Sequence, residues 1–462
     1  MSSTFRLSKI IAEFKYSARL AMPLVASEVV FALSGFTATA MIAHLGKEEL
    51  AANALVWTIY IAVLLFFVGI LSSISIMVSQ SLGAKDDEEI SICFKQGLIM
   101  AIIFSIPMML IMSVAPKILV WAKQDPAVIL CTKPFFKSLI WVMLPINIAI
   151  AIEQFLIGIT KTRLVMLMSI VLVPMQIFFY YAFLFGKFGL PKIGLAGIGT
   201  SIAISHCIIT VCFVCYLYFG KIFKKYNLFK KWWVINHKFL FEMIRVGLPL
   251  GVMWCSEVTF FAVVAIMMGM LGVSTLAAFQ IADQYLLIAL VVLFALGQTA
   301  AIRVGYEVGR NDRSKLKLAV LVITLIGLGL ISLFSLFYTF FPEIAIGVDI
   351  DMSSKQYKDV AAEAMKFFPI VGILIVVDCI RLVASGALRG LKDTAFQLLI
   401  SVLGFWFIAF PATYLLAFKL GFGGVGIWWG IIIGFLITGI LLTIRFSRLT
   451  RTIELSSLLT KK

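Results

Sequence analysis

Charge is what this chain is short of. Only 13% of its 462 residues are Asp, Glu, Lys or Arg, about half the share usual in a soluble domain. Its three histidines, His44, His206 and His237, are scattered, which excludes a histidine-rich metal site. Nucleophile-elbow, zinc-protease and phosphate-loop motifs are missing, so the sequence offers no chemistry for a membrane-embedded enzyme. The seven cysteines are odd in number and fall mostly in apolar runs. They read as small buried hydrophobes, not as a disulfide framework. The basic N-terminus MSSTFRLSKIIAEFKYSARL has no small-residue cleavage site after it, so no cleavable leader is expected. No filter-like segment marks a channel.

What fills the chain is apolar. The hydrophobic share is 62% and the mean hydropathy +1.08. A membrane span needs roughly 20 apolar residues. Segments near 18–43, 51–80, 93–115, 135–157, 164–186, 194–219, 242–271, 275–302, 318–342, 366–388, 396–418 and 424–444 meet that length. The sequence thus predicts an all-α integral membrane protein with twelve transmembrane helices. The net charge of +16 sits in the gaps between them, so it speaks of topology and not of nucleic acid. With the N-terminus in the cytoplasm, 25 Lys and Arg fall on inner segments and 11 on outer ones. Both termini are therefore expected inside, in the cell (inner) membrane.

The two halves repeat. Pro249 follows Pro23 by 226 residues, Leu276 follows Leu50 by 226, and Gly309 follows Gly83 by 226. Farther on the offset is 232, as in Gly158 to Gly390 and Gly189 to Gly421. The six extra residues fit the outer connection around 343–364. An even number of spans per half makes the copies parallel, giving two pseudo-twofold-related six-helix bundles. The expected division is 1–220, a basic linker at 221–240, and 241–462. Trp232 and Trp233 in that linker suit the membrane interface. In such duplicated transporters the substrate site lies near the midplane.

Acids inside this hydrocarbon stretch demand a reason. A charge at mid-membrane costs about 3 kcal/mol on insertion scales, and folding does not require it. Glu257 and Asp283 lie between Leu248 and Gly309, Asp378 lies in the tenth span, and Glu28 and Glu153 lie in the first half. Arg381 follows Asp378 by three residues, on the same helix face, where the two can pair.

The phrases LPLG, LGVSTLAAFQIA, RVGYEVG and GALRGLKDT, with IGITKTR and FGLPKIGLAGIGTSIA earlier, carry a resemblance. In this order, over residues 23–434, the chain resembles the multidrug and toxic compound extrusion (MATE) family of the NorM-like type. That family belongs to a superfamily that includes lipid-linked oligosaccharide flippases. The resemblance implies export of organic cations or amphipathic compounds in exchange for inward Na⁺ or H⁺. It implies that Glu257 and Asp378 are the cation-binding pair, with Asp283 as a third carboxylate. Two departures stand out. Ala38 occupies the place of the family's usual first-span acid, and Arg381 the place of a neutral amide.

Like charges crowded in a low-dielectric cavity disfavour one another, and a cation relieves them. A proton, Na⁺ or an organic cation can do so. Hard oxygen ligands suit Na⁺, the expected coupling ion. Glu28, Asn147, Gln154, Gln280, Gln284, Tyr285, Phe36 and Phe260 are candidates to line the substrate cavity. Small organic cations and membrane lipid are the expected partners, without nucleic acid, cofactor or second subunit. The alternative is a lipid-linked oligosaccharide flippase, which needs an Arg- and Lys-rich cavity.

Overall fold

The computed structural model describes residues 2–121, 123–231, 233–352, 354 and 357–459. Trp232 lies outside them, and Trp233 is exposed. In chain order the helices are α1 (Ser2–Ala43), α2 (Lys47–Leu71), α3 (Ser73–Ala84), α4 (Asp87–Trp121), α5 (Pro126–Gly158), α6 (Thr162–Phe185) and α7 (Ala196–Phe219). Then come α8 (His237–Leu271), α9 (Val273–Gly309), α10 (Arg313–Phe340), α11 (Pro342–Asp349) and α12 (Lys358–Gly390). The last are α13 (Thr394–Val402), α14 (Phe410–Tyr414) and α15 (Gly423–Thr452). Two π-helical stretches, Leu403–Ala409 and Leu415–Lys419, flank α14. There is no strand among the described residues.

Twelve of these stretches are long and apolar enough to cross a membrane. The pair α2–α3 counts as one span and α13–α14 as another, while α11 is not a span. Helix is the expected answer to hydrocarbon, because every backbone N–H and C=O must be satisfied within the segment.

The duplication extends to backbone conformation. Lys85 and Asn311, 226 apart, both turn left-handed, at φ 60° and 55°. The next residue in each copy, Asp86 or Asp312, accepts from backbone N–H groups of the following helix. Thr160 and Lys392 (φ 60° and 57°) and Gly189 and Gly421 (φ 77° and 73°) are 232 apart. At the 226 offset α10 and α11 together match α4, with Pro342 on Pro116, and at 232 α12 matches α5, so the extra residues fall in the connection between α11 and α12.

The chain forms two compact units. One contains Val252–Leu459 and the first helix up to Val25; the other is Ala26–Gly251. The boundaries fall inside α1 and α8, again 226 apart, two residues after Pro23 and Pro249. The 221–240 linker lies wholly within the second unit.

Small residues set how closely helices approach. In the first unit α9 meets α12 at Gly297, Gly386 and Gly390. A Cβ on Gly386 would lie 2.0 Å from the Gly297 carbonyl oxygen, and one on Gly390 would lie 2.6 Å from that of Ala301. Lipid tails are as apolar as leucine, so close backbone packing takes over the role that hydrophobic burial plays in water. Gly386→Val is therefore expected to force the two helices apart and lower stability by about 1–3 kcal/mol or more. Gly329→Ala, where a Cβ meets nothing within 4 Å, is the control and should leave thermal unfolding in detergent unchanged or slightly raised.

Candidate functional site

Three charged side chains from two spanning helices meet inside the first unit. Asp378 and Arg381 lie one turn apart on α12, and Glu257 projects from α8. Arg381 Nη2 donates to Glu257 Oε1 at 2.6 Å, and Arg381 Nε donates to Asp378 Oδ1. Asp378 is 0% exposed, Arg381 2% and Glu257 8%. The guanidinium carbon lies 4.3 Å from the ring centre of Phe435 and 5.3 Å from that of Phe405. Aromatic faces carry negative potential and attract such a cation, and these two rings, 5.4 Å apart, flank the guanidinium from one side. Asp378 Oδ2 is buried and has no hydrogen-bond partner. The cluster thus holds two carboxylates, one guanidinium, and one acceptor oxygen left over.

The arrangement joins two of the three expected acids. Asp283 is half-buried on α9 and shares no hydrogen bond or ion pair with Glu257 or Asp378. Among the described residues no three acids, histidines or cysteines gather closely enough to hold a metal ion.

Several expected cavity residues have other work. Asn147 is fully buried, and its Nδ2 donates to Ser105 Oγ at 3.1 Å and Met108 Sδ at 3.0 Å, fastening α5 to α4. Phe260 is fully buried, stacked on Phe405 at 5.6 Å, so it backs the ring that covers Arg381 and does not line open space. Tyr285 donates its hydroxyl to Ala345 O at 2.7 Å and packs on Tyr338 and Phe368, tying α9 to α11. Gln284 reaches Asp349 of α11, where burial raises the carboxyl pKa against the hydrogen bond from Gln284. Gln280 and Phe36 are exposed, and Gln154 is buried. Glu28 (α1) and Glu153 (α5) are half-buried in the second unit, near enough to interact electrostatically.

Ala38 is buried. One turn earlier, Ser34 donates to Gln176 Oε1 at 2.8 Å and lies 3.3 Å from the Tyr180 hydroxyl. Polar contacts, not a carboxylate, occupy this part of α1.

Other charged residues enter that sequence reasoning passed over. Arg389 lies in the last turn of α12, not in a connector, and its buried Nε has no partner. Glu13 of α1 takes Arg303 of α9 through both oxygens, at 2.9 and 2.8 Å, and Arg303 also donates to Glu307 at 3.0 Å. Tyr16 lies over the Arg303 guanidinium at 4.5 Å. Glu13 sits in the basic N-terminal stretch, which reads as solvated, so no local signal marks it. The rings of Phe405 and Phe435 are hidden among 40 phenylalanines.

Fold and site describe an integral membrane transporter built from two copies of one plan. The MatE family model matches the chain twice, over residues 23–182 and 249–415, with starts 226 residues apart. The "Probable multidrug resistance protein NorM" of Agrobacterium fabrum is 30% identical over 95% of this chain and 95% of its own length. That of Synechococcus is 27% identical over 96% of each. A MATE solved in the bent conformation aligns with TM-score 0.86 at 16% identity, over 97% of this chain and 98% of that one. A MOP superfamily transporter from Pyrococcus furiosus, described by a reversed polarity of its binding pocket, aligns with TM-score 0.85 at 18% identity, over 96% of each chain. The chain belongs to the MatE family and is a membrane transporter, not an enzyme.

Removing one partner of a buried ion pair strands the others. Arg381→Met is expected to cost about 3–5 kcal/mol, because it leaves two carboxylates without their cation. Adding Glu257→Gln should recover part of that loss. Thermal unfolding of the purified protein in detergent reads both, and equal losses in the two variants would show that the arginine does not hold the acids in place.

Proposed function

We propose that the chain is a secondary multidrug antiporter that exports organic cations or amphipathic compounds and is driven by inward Na⁺ or H⁺. The observation that carries this reading is the pair of acids, Glu257 and Asp378, gathered on one buried arginine. Two carboxylates ion-paired to one guanidinium leave that hydrogen-bonded cluster one negative charge, on which Arg389 acts only electrostatically, through Glu257. A single further positive charge completes it, and a second is repelled. Ion and cargo that answer to the same remaining charge exclude each other, which is the condition for exchange. Names of curated relatives support multidrug export as the process.

Arg381 acts as a resident counter-ion. Na⁺ needs several oxygens at once, so in the first reading its arrival draws Arg381 away from one acid. A second reading, H⁺, is favoured by Asp378 Oδ2, which is buried, unpartnered and sufficient for a proton. With the inside negative, the membrane potential contributes about 2.3 kcal/mol per charge per 100 mV to either ion.

The flippase alternative requires free basic groups for a pyrophosphate. Arg381 and Arg303 are each held by two acids and Arg245 is exposed, which leaves Arg389, with its unpartnered Nε, as a single buried base against several acids. That balance supports cationic cargo. Placement in the inner membrane with both termini cytoplasmic, and action as a monomer, complete the proposal.

The test is dye efflux from energised vesicles with a Na⁺ gradient or a pH gradient imposed alone. Efflux is expected to follow one of them. A response to the pH gradient only removes the Na⁺ reading, and a response to neither removes antiport. Glu257→Gln should reduce coupled efflux tenfold or more; unchanged efflux takes that residue out of the mechanism.

A further inference from the structure

The connector between α7 and α8 has no part in the coupling scheme, yet it is the most basic connector of the chain: KIFKKYNLFKKWWVINHK, 221–238. It is fastened to α4. Gln96, 2% exposed, donates through Nε2 to Val234 O at 2.9 Å and accepts at Oε1 from Asn236 N at 3.0 Å. Ser91 Oγ donates to Asn227 O at 3.4 Å. Tyr226 and Leu228 of the connector are buried.

Between the connector and the start of α4 lies a cavity of about 460 Å³. Its charge is unbalanced. Lys95, Lys225, Lys230 and Lys231 line it against Asp87 and Glu88. Lys225 is already taken by Asp87 at 3.2 Å. Lys95 and Lys230 repel one another; Glu88 offsets Lys95 electrostatically, but no carboxylate among the described residues forms an ion pair with either lysine. A pocket with a fixed frame and four lysines to two acids is short of an anion.

We propose that this pocket binds the phosphate of an anionic phospholipid headgroup, from the leaflet that the connector faces. Phosphate on a small soluble molecule has the same chemistry, but the surroundings favour lipid. The connector joins the ends of two spanning helices, Phe219 and His237. Phe219, Ile222, Trp233 and Ile235 expose apolar surface there, which acyl chains cover and a soluble anion leaves bare. Basic pockets at membrane-facing ends of helices hold lipid phosphates by this combination.

The experiment uses the full-length protein in detergent and titrates phosphatidylglycerol or phosphatidylcholine, with bound lipid counted by native mass spectrometry. Phosphatidylglycerol is expected to bind the wild type more tightly than phosphatidylcholine. Lys95→Gln with Lys230→Gln should weaken phosphatidylglycerol about 30-fold, from about 1 kcal/mol per lysine. Lys221→Gln with Lys224→Gln, on the same connector but outside the cavity, should change it less than threefold. Lys95→Arg with Lys230→Arg should keep most of the binding and shows that the position tolerates change. Equal losses in the cavity and control variants would overturn the pocket in favour of a diffuse basic surface. No preference for phosphatidylglycerol would overturn it as well. Full displacement of the lipid by equimolar glycerol 3-phosphate would overturn the lipid assignment and leave a soluble phosphate as the ligand.

Discussion

Hydrocarbon cannot solvate a charge, so a charge placed there must find its opposite. That constraint organises the interior of this transporter. Arg381 is held by Glu257, by Asp378 and by the faces of two phenylalanines. Arg303 is held by Glu13, Glu307 and Tyr16. Each cluster joins two helices that are distant in sequence; the first sets two acids against one base, whereas in the second Arg310 also reaches Glu307 at 3.9 Å and evens the count. The surplus negative charge is tolerable at low cost only where a cation can reach it. At the Glu257 cluster that surplus coincides with an acceptor atom that nothing in the protein satisfies. An interior built for stability alone would have no reason to leave it so.

The same solvent also governs how the helices pack. Burial of apolar side chains drives little association when lipid is equally apolar, so contact depends on how closely backbones can come. Glycines supply that closeness at Gly297 and Gly386 in one unit and at Gly69 and Gly251 in the other. The unit boundaries fall within continuous helices, α1 and α8, just past Pro23 and Pro249. Proline removes a backbone hydrogen bond and loosens the helix at that point. One helix in each copy is therefore both a member of two units and weakened where it passes from one to the other.

Much of this was legible in the residues. Twelve spans follow from apolar length, because the membrane sets a minimum for each. The duplication follows from constant offsets, and the structure repeats it in capping aspartates and left-handed residues. Glu257, Asp378 and Arg381 could be picked out because charge is so rare in the chain that each instance carries information. Rarity failed as a guide where charge or polarity was locally common. Glu13 lies in a basic stretch and Arg389 at a helix end, and each looks solvated from its neighbours. Asn147 and Tyr285 were polar candidates for a cavity, but hydrogen bonds to Ser105 and to Ala345 give them structural tasks. Phe260 could not be told from other phenylalanines, and burial shows it to be part of the support around Arg381.

Composition, length and internal spacing by themselves determined that this chain is a duplicated, all-helical membrane protein with acids it did not need for folding, and the resemblance of its motif phrases to a known family added transport. Those features depend on the chain's own periodicity and on the bulk properties of a bilayer, and neither requires knowledge of contacts. Only the tertiary structure decided which acids share a counter-ion. Glu257 and Arg381 are 124 residues apart, and nothing along the sequence between them reports that α8 and α12 bring them within 2.6 Å. Asp283 is closer to Glu257 in sequence yet remains outside the cluster. Electrostatic energy in a low-dielectric medium depends steeply on separation, so the partner of a buried charge is decided by packing.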